Sequence, residues 1–485
     1  MKEIRNLVAG TWLGSDRTWV KSSPFDGRPV ARVNEATREM IDAAVAAGKS
    51  AALGEWGAMA VRQRAAIIRD MGAKLARRVD DLIEADMADT GRSYWQACNF
   101  DGKRATTLFE TYCDLAIGLE GRTNGFQGEG GFRGLWMTNR RPKGVIACIA
   151  PWNVPLLMMS LKLAPALVMG NAAIAKPSEE TPSSTTILAE VIAQSDIPDG
   201  AFSLLHGFGR NSTGEMLTSH PGVDAITFTG EPGTGSAIMK AAATGLREVA
   251  MELGGKNAAL VFSDCDMDAA IEGTLRSAFF NCGQICFCTE RAYVHRSRLD
   301  EFLERLVTAA RAIVIGQPHH DGFSIGPLIS TVHRAKVMEL VNSAAAEGGK
   351  IETGGRIPEF GDARDGGAFY EPTIITGLSD RARLMREETF GPVIHVAPFD
   401  DEEEVISRAN DSDYGLGAVI WSQDINRCLR VAPRLRVGHV WINSWQIRDL
   451  GSPLSGVGIS GVGEQFGVSS LNFCSQQQTI TVRIT

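Results

Sequence analysis

Residues 7–33 alternate apolar and polar positions around Gly14-Ser15-Asp16 and Asp26-Gly27, a period of two that predicts strands and hairpins. From about Thr37 to Ile117 the period lengthens to that of a helix. Ile67, Met71 and Leu75 recur at i, i+4 and i+8, and Leu82, Ile83 and Met87 mark the next helix. Residues 122–141 are Gly-rich and then strand-like, ending in Asn139-Arg140-Arg141-Pro142. So narrow a ribbon has little apolar surface of its own, which predicts an arm that pairs with another subunit.

From residue 143 the pattern becomes strand–helix–strand. The continuous apolar run Gly144–Ala150 predicts a buried strand, and Asn171–Ala175 a second one leading into Lys176-Pro177-Ser178-Glu179. A helix over about Ser184–Gln194 precedes the strand Phe202–Leu205, which runs into Gly207-Phe208-Gly209. Ala225–Thr229 is a further strand, ending in Gly230-Glu231-Pro232-Gly233-Thr234-Gly235 before a helix. Such alternation predicts an α/β fold with a doubly wound parallel sheet, whose ligands sit at the carboxyl ends of the strands.

After Gly254 a second sheet-and-helix unit begins. Its expected strands are Ala258–Phe262, Arg291–His295, Pro372–Ile375, Gly417–Trp421 and Val437–Asn443; its helices are Met267–Phe280, Leu299–Ile313 and about Thr331–Ala345. The tail from about Leu471 alternates again through Ile480, Val482 and Ile484, as a strand of an intersubunit sheet does.

A chain of 485 residues exceeds one hydrophobic core, so two or three domains are expected. Apolar content of 44% and charged content of 22% fit a globular protein. A net charge of −8 leaves no basic footprint for nucleic acid or an anionic membrane. Nine cysteines without paired spacing argue for reduced thiols, and MKEIRNLVAG lacks the apolar core of a signal peptide. The most apolar region, Ile146–Ala175, is broken by Pro151, Asn153, Pro155, Lys162 and Pro165 and so predicts no membrane span. The expected location is the cytoplasm.

Two stretches carry candidate chemistry. Phe279-Phe280-Asn281-Cys282-Gly283-Gln284-Ile285-Cys286-Phe287-Cys288 sets a cysteine in a Gly-Gln turn after an apolar helix. Glu252-Leu253-Gly254-Gly255-Lys256 sets a carboxylate before a Gly-Gly turn. Thiol and carboxylate form a candidate nucleophile and general base, although a lone Cys is also a common core residue. The Gly-rich turn at 230–235 offers unpaired N–H groups to a pyrophosphate, although its spacing departs from G-x-G-x-x-G. Cys282, Cys286 and Cys288, with no nearby His, make a poor tetrahedral set, so no metal is expected.

Pro151-Trp152-Asn153-Val154-Pro155, Lys176-Pro177-Ser178-Glu179, Phe228-Thr229-Gly230, Glu252-Leu253-Gly254-Gly255-Lys256, Asn281-Cys282-Gly283-Gln284-Ile285-Cys286 and Glu388-Thr389-Phe390-Gly391-Pro392 occur in that order. Together they resemble the NAD(P)-dependent aldehyde dehydrogenase superfamily over nearly the whole chain. The resemblance implies a Rossmann-type NAD-binding domain over residues 1–121 and 143–252 and an α/β catalytic domain over 253–450. It also implies an oligomerisation arm over 122–142 and 466–485, in a homodimer or homotetramer. Cys286 would then attack the aldehyde carbon, Asn153 and the Cys286 backbone N–H would hold the oxyanion, and Glu252 would activate the deacylating water. Lys176 and Glu179 resemble adenosine-ribose contacts, Glu388 a nicotinamide-ribose contact, and Phe390 the wall behind the nicotinamide. Trp152, Ser178, Gly209, Phe228, Thr229, Gly230, Glu231 and Leu253 complete the implied cofactor contacts.

Within the superfamily, Ile226–Glu231, Asn281–Cys286 with Thr289-Glu290-Arg291, and Asn443-Ser444-Trp445 with Arg448-Asp449 resemble the 2-hydroxymuconic and 2-aminomuconic semialdehyde dehydrogenases. That branch implies a substrate with an aldehyde at one end and a carboxylate at the other. Arg104, Arg448 and Trp445 then border the substrate channel, the arginines as a carboxylate clamp. Two departures stand out. Glu231 replaces the usual Ser, and Pro453–Gly461 departs from Pro-Phe-Gly-Gly-x-Lys-x-Ser-Gly at the implied mouth of the channel. Three rivals fit less well. A CoA-acylating enzyme has no use for the base Glu252, a thioesterase leaves Lys176, Glu179 and Glu388 without a role, and a structural protein has no need of Cys286 and Glu252 together.

Overall fold

A computed structural model describes residues 1–484, with the backbone alone considered at Phe100 and Asp101. Two large sheets dominate it. The first has eight strands, in the spatial order Gly461–Val462, Glu248–Glu252, Ala225–Thr229, Val145–Ile149, Ala172–Lys176, Phe202–Leu204, Asn6–Val8 and Thr11–Leu13. The five strands from Glu248–Glu252 to Phe202–Leu204 are parallel, and the remainder add antiparallel edges. Every residue of Val145–Ile149, Ala172–Lys176 and Ala225–Thr229 is buried, as both faces are covered by helices.

The chain enters the parallel part at Val145–Ile149, adds two strands on one side, and then crosses to add Ala225–Thr229 and Glu248–Glu252 on the other. The order therefore reverses between Val145–Ile149 and Ala225–Thr229, which opens a crevice at their carboxyl ends. Register aligns those ends: Ile149 pairs with Lys176, Phe228 with Ile149, and Thr229 with Glu252. Asn153, Lys176, Gly230 and Glu252 all lie along or just past this one edge.

The second sheet has seven strands, in the order Lys350–Thr353, Thr373–Thr376, Val393–Phe399, Thr289–His295, Asn257–Val261, Gly417–Trp421 and His439–Ile442, parallel except for the first pair. The sequence periodicity anticipated these strands within a residue or two, except for the missed edge strand Lys350–Thr353 and the missed Val393–Phe399. The helix Met267–Phe279 is started by Asp266, whose carboxylate accepts from the Ala269 N–H at 3.1 Å.

Two segments differ from the sequence expectation. Residues Pro155–Val168 form a helix that is almost wholly buried, begun by Pro155 in its first turn, where a missing N–H costs nothing. Its even apolar coverage gives no face from which to read a period. The tail is not a strand from Leu471: Gly467–Phe473 is a short helix, and the strand is Ser475–Ile484. Leu471 is fully buried by that helix, which packs on Lys103–Ile117 and Pro155–Val168.

The ribbon Thr123–Gln127 and Arg133–Pro142 meets the tail strand within the same chain. Ser475–Ile484 pairs with Arg133–Pro142 along its full length, and Thr123–Gln127 flanks the other side. Leu135, Met137, Ile480 and Val482 share one face of this thin sheet, since paired residues point to the same side. Met137, Ile480 and Val482 are exposed there. Among the described residues no helix is long and apolar enough to cross a membrane.

Candidate active site

Cys286 sits in the turn before Thr289–His295, at the amino edge of the second sheet. The turn is reached through three successive left-handed residues, Asn281 at φ 53°, Cys282 at φ 58° and Gly283 at φ 72°. Two of them carry side chains, and such backbone persists only where the surroundings over-determine it. Gln284 supplies much of that determination: its side-chain amide donates to the Asn281 carbonyl at 2.9 Å and accepts from the Ile329 N–H at 2.8 Å. Asn257, the first residue of the adjacent strand, donates to the carbonyls of Cys286 and Cys288 at 2.8 Å each. At Gly255 a Cβ would lie 2.8 Å from the Cys286 carbonyl oxygen, so only glycine admits the turn this close. Cys282 and Cys288 are fully buried, while Cys286 keeps partial exposure.

Asn153 comes from the other sheet, just past the carboxyl end of Val145–Ile149. Its side-chain Nδ2 donates to the Gln284 carbonyl at 2.8 Å, which ties it to the cysteine turn. An amide NH2 has a second hydrogen, still available to an oxyanion. The Asn153 main-chain carbonyl accepts from Asn281 Nδ2 at 3.1 Å and from the buried Arg92 guanidinium, itself ion-paired to Asp86 at 3.2 Å.

Glu252 ends the strand Glu248–Glu252, and among the described residues neither of its carboxyl oxygens has a hydrogen-bond partner. Burial pushes its pKa up to about 8, and the cations Lys162 and Arg448 hold it from rising further. Lys162 lies on the buried helix, its ammonium donating to Thr229 Oγ1 at 2.8 Å and to Thr227 Oγ1 and Gln465 Oε1 at 3.3 Å each. Desolvation brings Lys162 down to about 8. Burial raises Cys286 to about 12, with the Glu252 and Glu388 carboxylates adding to the rise and Arg448 opposing it. A partly exposed thiol, an unpartnered carboxyl raised to about 8 within its electrostatic reach, and an amide donor tied to the thiol's own turn are thus brought together.

The expected cofactor contacts line the crevice of the first sheet. Buried Lys176 donates to the Pro177 carbonyl at 3.0 Å and lies 3.8 Å from the carboxylate of half-buried Glu179. Ser178 is buried beside them, its Oγ accepting from the Glu180 N–H at 3.3 Å. Phe228 and Thr229 are buried, and Leu253 donates its N–H to the Ser460 carbonyl at 2.8 Å. After Gly230 the helix Pro232–Ala243 begins with no side-chain cap, so its first N–H groups remain available to phosphate oxygens. Glu231, at the cap position, turns its carboxylate to the Thr234 hydroxyl at 3.0 Å. A Cβ at Gly209 would meet no atom within 4 Å, which leaves room for a ligand there. These features fit a nicotinamide dinucleotide.

Glu388 accepts from the Gly255 N–H at 2.7 Å, and burial with the nearby Glu290 charge pushes it up to about 8. Phe390 stands at φ 50°, with its ring 5.3 Å from Trp152 and perpendicular to it. Its carbonyl accepts from His333 Nε2 at 2.8 Å. Glu290, buried and ion-paired to Lys256, anchors this loop by accepting from the N–H groups of Thr389 and Phe390 at 3.0 Å.

Arg448 lies within electrostatic reach of Cys286, Glu252 and Arg104. Its Nε and Nη2 are buried without a hydrogen-bond partner among the described residues. Arg104 is exposed on the helix Lys103–Ile117. Trp445 donates its indole N–H to the Phe287 carbonyl at 3.0 Å, so the segment carrying Arg448 is pinned to the cysteine turn.

Arg92, Asn257 and His333 were not singled out by the sequence, and Glu290 entered only as part of a branch motif, with no role given. Each acts on the backbone of a distant segment, which local spacing does not record. Glu290 left one signal, a charge next to Arg291 in a strand, Thr289–His295, that is buried over its first six residues, and Lys162 left another inside the most apolar region of the chain. Among the described residues no cluster capable of holding a metal ion is present, and the cysteines are free thiols.

The model of the aldehyde dehydrogenase family matches residues 12–480. The chain is 46% identical over 484 residues to the 2-aminomuconic 6-semialdehyde dehydrogenase of a Pseudomonas species, covering 100% of this chain and 99% of that protein. It is 46% identical over 486 residues to the 2-hydroxymuconic semialdehyde dehydrogenase of Pseudomonas sp. (strain CF600), covering 100% of both. The solved structure of a betaine aldehyde dehydrogenase from Staphylococcus aureus in complex with NAD+ superposes with a TM-score of 0.94 at 33% identity, covering 98% of this chain and 94% of that one.

Proposed function

We propose that this chain, which belongs to the aldehyde dehydrogenase family, oxidises a carboxylate-bearing semialdehyde of the 2-hydroxymuconic or 2-aminomuconic type to the acid. The observation that carries the substrate class is Arg448: two unpartnered guanidinium N–H donors, buried within electrostatic reach of Cys286 and Glu252. A guanidinium without a carboxylate of its own beside a reactive thiol suits a substrate that brings the carboxylate.

In this reading Cys286 loses its thiol proton to solvent, its sulfur adds to the aldehyde carbon, and the oxyanion is held by the free Asn153 Nδ2 hydrogen and the Cys286 N–H. Bound NAD supplies the hydride acceptor. Loss of hydride from the carbon leaves a thioester on Cys286. Glu252 then takes a proton from water, the resulting oxygen nucleophile adds to the thioester carbon, and the C–S bond breaks to give acid and thiol. Glu388 would orient the nicotinamide ribose, with Phe390 and Trp152 walling the ring, while Lys176 and Glu179 would hold the adenosine ribose. Leu135, Met137, Ile480 and Val482 would be covered by a second copy, giving a homodimer or homotetramer in the cytoplasm.

The substrate reading is tested by Arg104→Ala and Arg448→Ala on a muconic-type semialdehyde and a neutral aldehyde of similar length. A charge-assisted hydrogen bond contributes about 1.5–3 kcal/mol. Each variant should therefore lower the ratio of kcat/KM for the charged substrate over the neutral one by roughly 10- to 150-fold. An unchanged ratio in both would remove the clamp.

Cofactor choice follows from Glu179. Its carboxylate accepts from a ribose 2′-hydroxyl but repels a 2′-phosphate, and such like-charge contact costs several kcal/mol. Lys176, 3.8 Å away, offsets part of that. The expected result is a kcat/KM for NAD at least about tenfold above that for NADP, narrowing in Glu179→Gln. Equal values for the two cofactors in the unmodified protein would contradict this role.

A further inference from the structure

We infer that Phe466 is a positioning residue for substrate selectivity, a platform that aims the Arg448 guanidinium at the substrate's carboxylate; this rests on the reading of Arg448 above. The Arg448 Cζ stands 3.7 Å from the centroid of the Phe466 ring, and Phe466 is buried. An aromatic face holds a guanidinium by its plane and leaves the edge donors free. A carboxylate partner would also fix the plane, but it would neutralise the charge and consume the donors. Stacking accounts for a half-buried guanidinium that is held in place while its buried Nε and Nη2 stay unbonded among the described residues.

The backbone beneath the ring points the same way. Phe466 adopts φ 67° and ψ 159°, a region that residues with a Cβ avoid, and Gly467 follows at φ 52°. Strain of this kind is retained where the surroundings impose it, and it gathers at ligand clamps. The surroundings here are explicit. Gln465 and Leu454 exchange backbone bonds of 2.9 and 2.8 Å, and the Gly467 N–H donates to the Leu450 carbonyl at 3.2 Å. The corner is thus fastened to the segment that directly follows Arg448. On the other flank, the Trp441 indole donates to the Ile447 carbonyl and the Trp445 indole to the Phe287 carbonyl, both at 3.0 Å.

The same corner is tied to the helix that carries Arg104. The helix Gly467–Phe473 that it starts carries Ser470, whose Oγ accepts from the buried Tyr112 hydroxyl at 3.1 Å. Tyr112 lies on the helix that presents Arg104. Phe466 therefore stands at the corner that joins the two arginine-bearing segments. Its aromatic face is what an aliphatic residue of similar size cannot reproduce.

The test is steady-state kinetics of Phe466→Leu, Phe466→Met and Phe466→Tyr on a muconic-type semialdehyde and a neutral aldehyde of similar length, alone and combined with Arg448→Ala. The expected result is a fall of roughly 3- to 30-fold in the charged-over-neutral kcat/KM ratio for Leu and Met. That fall should lie mainly in the KM for the charged substrate, and Tyr should restore the ratio. In the Arg448→Ala background, Phe466→Leu should leave the ratio where Arg448→Ala alone put it. Equal losses on both substrates, or a fall in the ratio that persists without Arg448, would overturn the platform. If Arg448→Ala itself leaves the ratio unchanged, the clamp reading fails first and the inference with it.

Discussion

Replacing Cys286 with alanine is expected to abolish aldehyde oxidation, by more than about 10⁴-fold in kcat, while dinucleotide binding survives. No neighbouring thiol can take over. Cys282 and Cys288 are fully buried, whereas Cys286 keeps partial exposure, so of the three an aldehyde can reach only Cys286. The change leaves the turn intact, because Asn257 holds position 286 through its main-chain carbonyl and Gln284 holds the left-handed approach to it. The proposed dinucleotide contacts Lys176, Glu179 and Glu388 come from other segments, so titration with NAD, followed by quenching of tryptophan fluorescence, should give an affinity close to the unmodified one. Turnover in the alanine protein would end the mechanism, whereas lost binding together with lost turnover would point to a damaged fold.

The second large effect is expected at Glu252. Its two carboxyl oxygens are buried with no hydrogen-bond partner, so nothing but water or substrate is left for them to bond. Only the ionised form accepts a proton. With burial pushing Glu252 up to about 8, deacylation should quicken as pH rises through that region and level off above it. Lys162, brought down to about 8 within electrostatic reach, titrates in the same range, so the apparent midpoints belong to the pair rather than to either residue alone. Glu252→Gln removes the base and should slow deacylation by roughly 10²–10⁴-fold. Hydride transfer would still occur once per site, so rapid mixing should show a burst of reduced nicotinamide and an acyl adduct on Cys286. Unaltered steady-state turnover in Glu252→Gln, or a burst-free loss, would assign the base elsewhere.

The sequence exposed what is written locally. The strands Ala225–Thr229 and Gly417–Trp421 appear where their apolar runs predict them, because a strand buried on both faces needs only a short apolar segment with clear ends. Cys286 and Glu252 were legible through their Gly-containing turns, whose necessity is visible in how closely Gly255 approaches the Cys286 carbonyl. The helix Pro155–Val168 was not legible, since a helix buried all round shows no amphipathic period. Arg92 and Phe466 were hidden for another reason. One supports Asn153 from 61 residues away, and the other meets Arg448 only after the chain has passed through the short strand Gly461–Val462. Contacts of that kind are products of the fold, and no spacing along the chain encodes them.

The most direct test of the central claim is the rate of reduced-nicotinamide formation from NAD with a ring-cleavage semialdehyde and with a neutral aldehyde of similar length, each with and without CoA. The account predicts free acid formed one-for-one with reduced nicotinamide in the absence of CoA. It also predicts a kcat/KM roughly 10- to 150-fold higher for the carboxylate-bearing substrate, from the arginine contacts. A requirement for CoA, or equal kcat/KM for the two aldehydes, would contradict it.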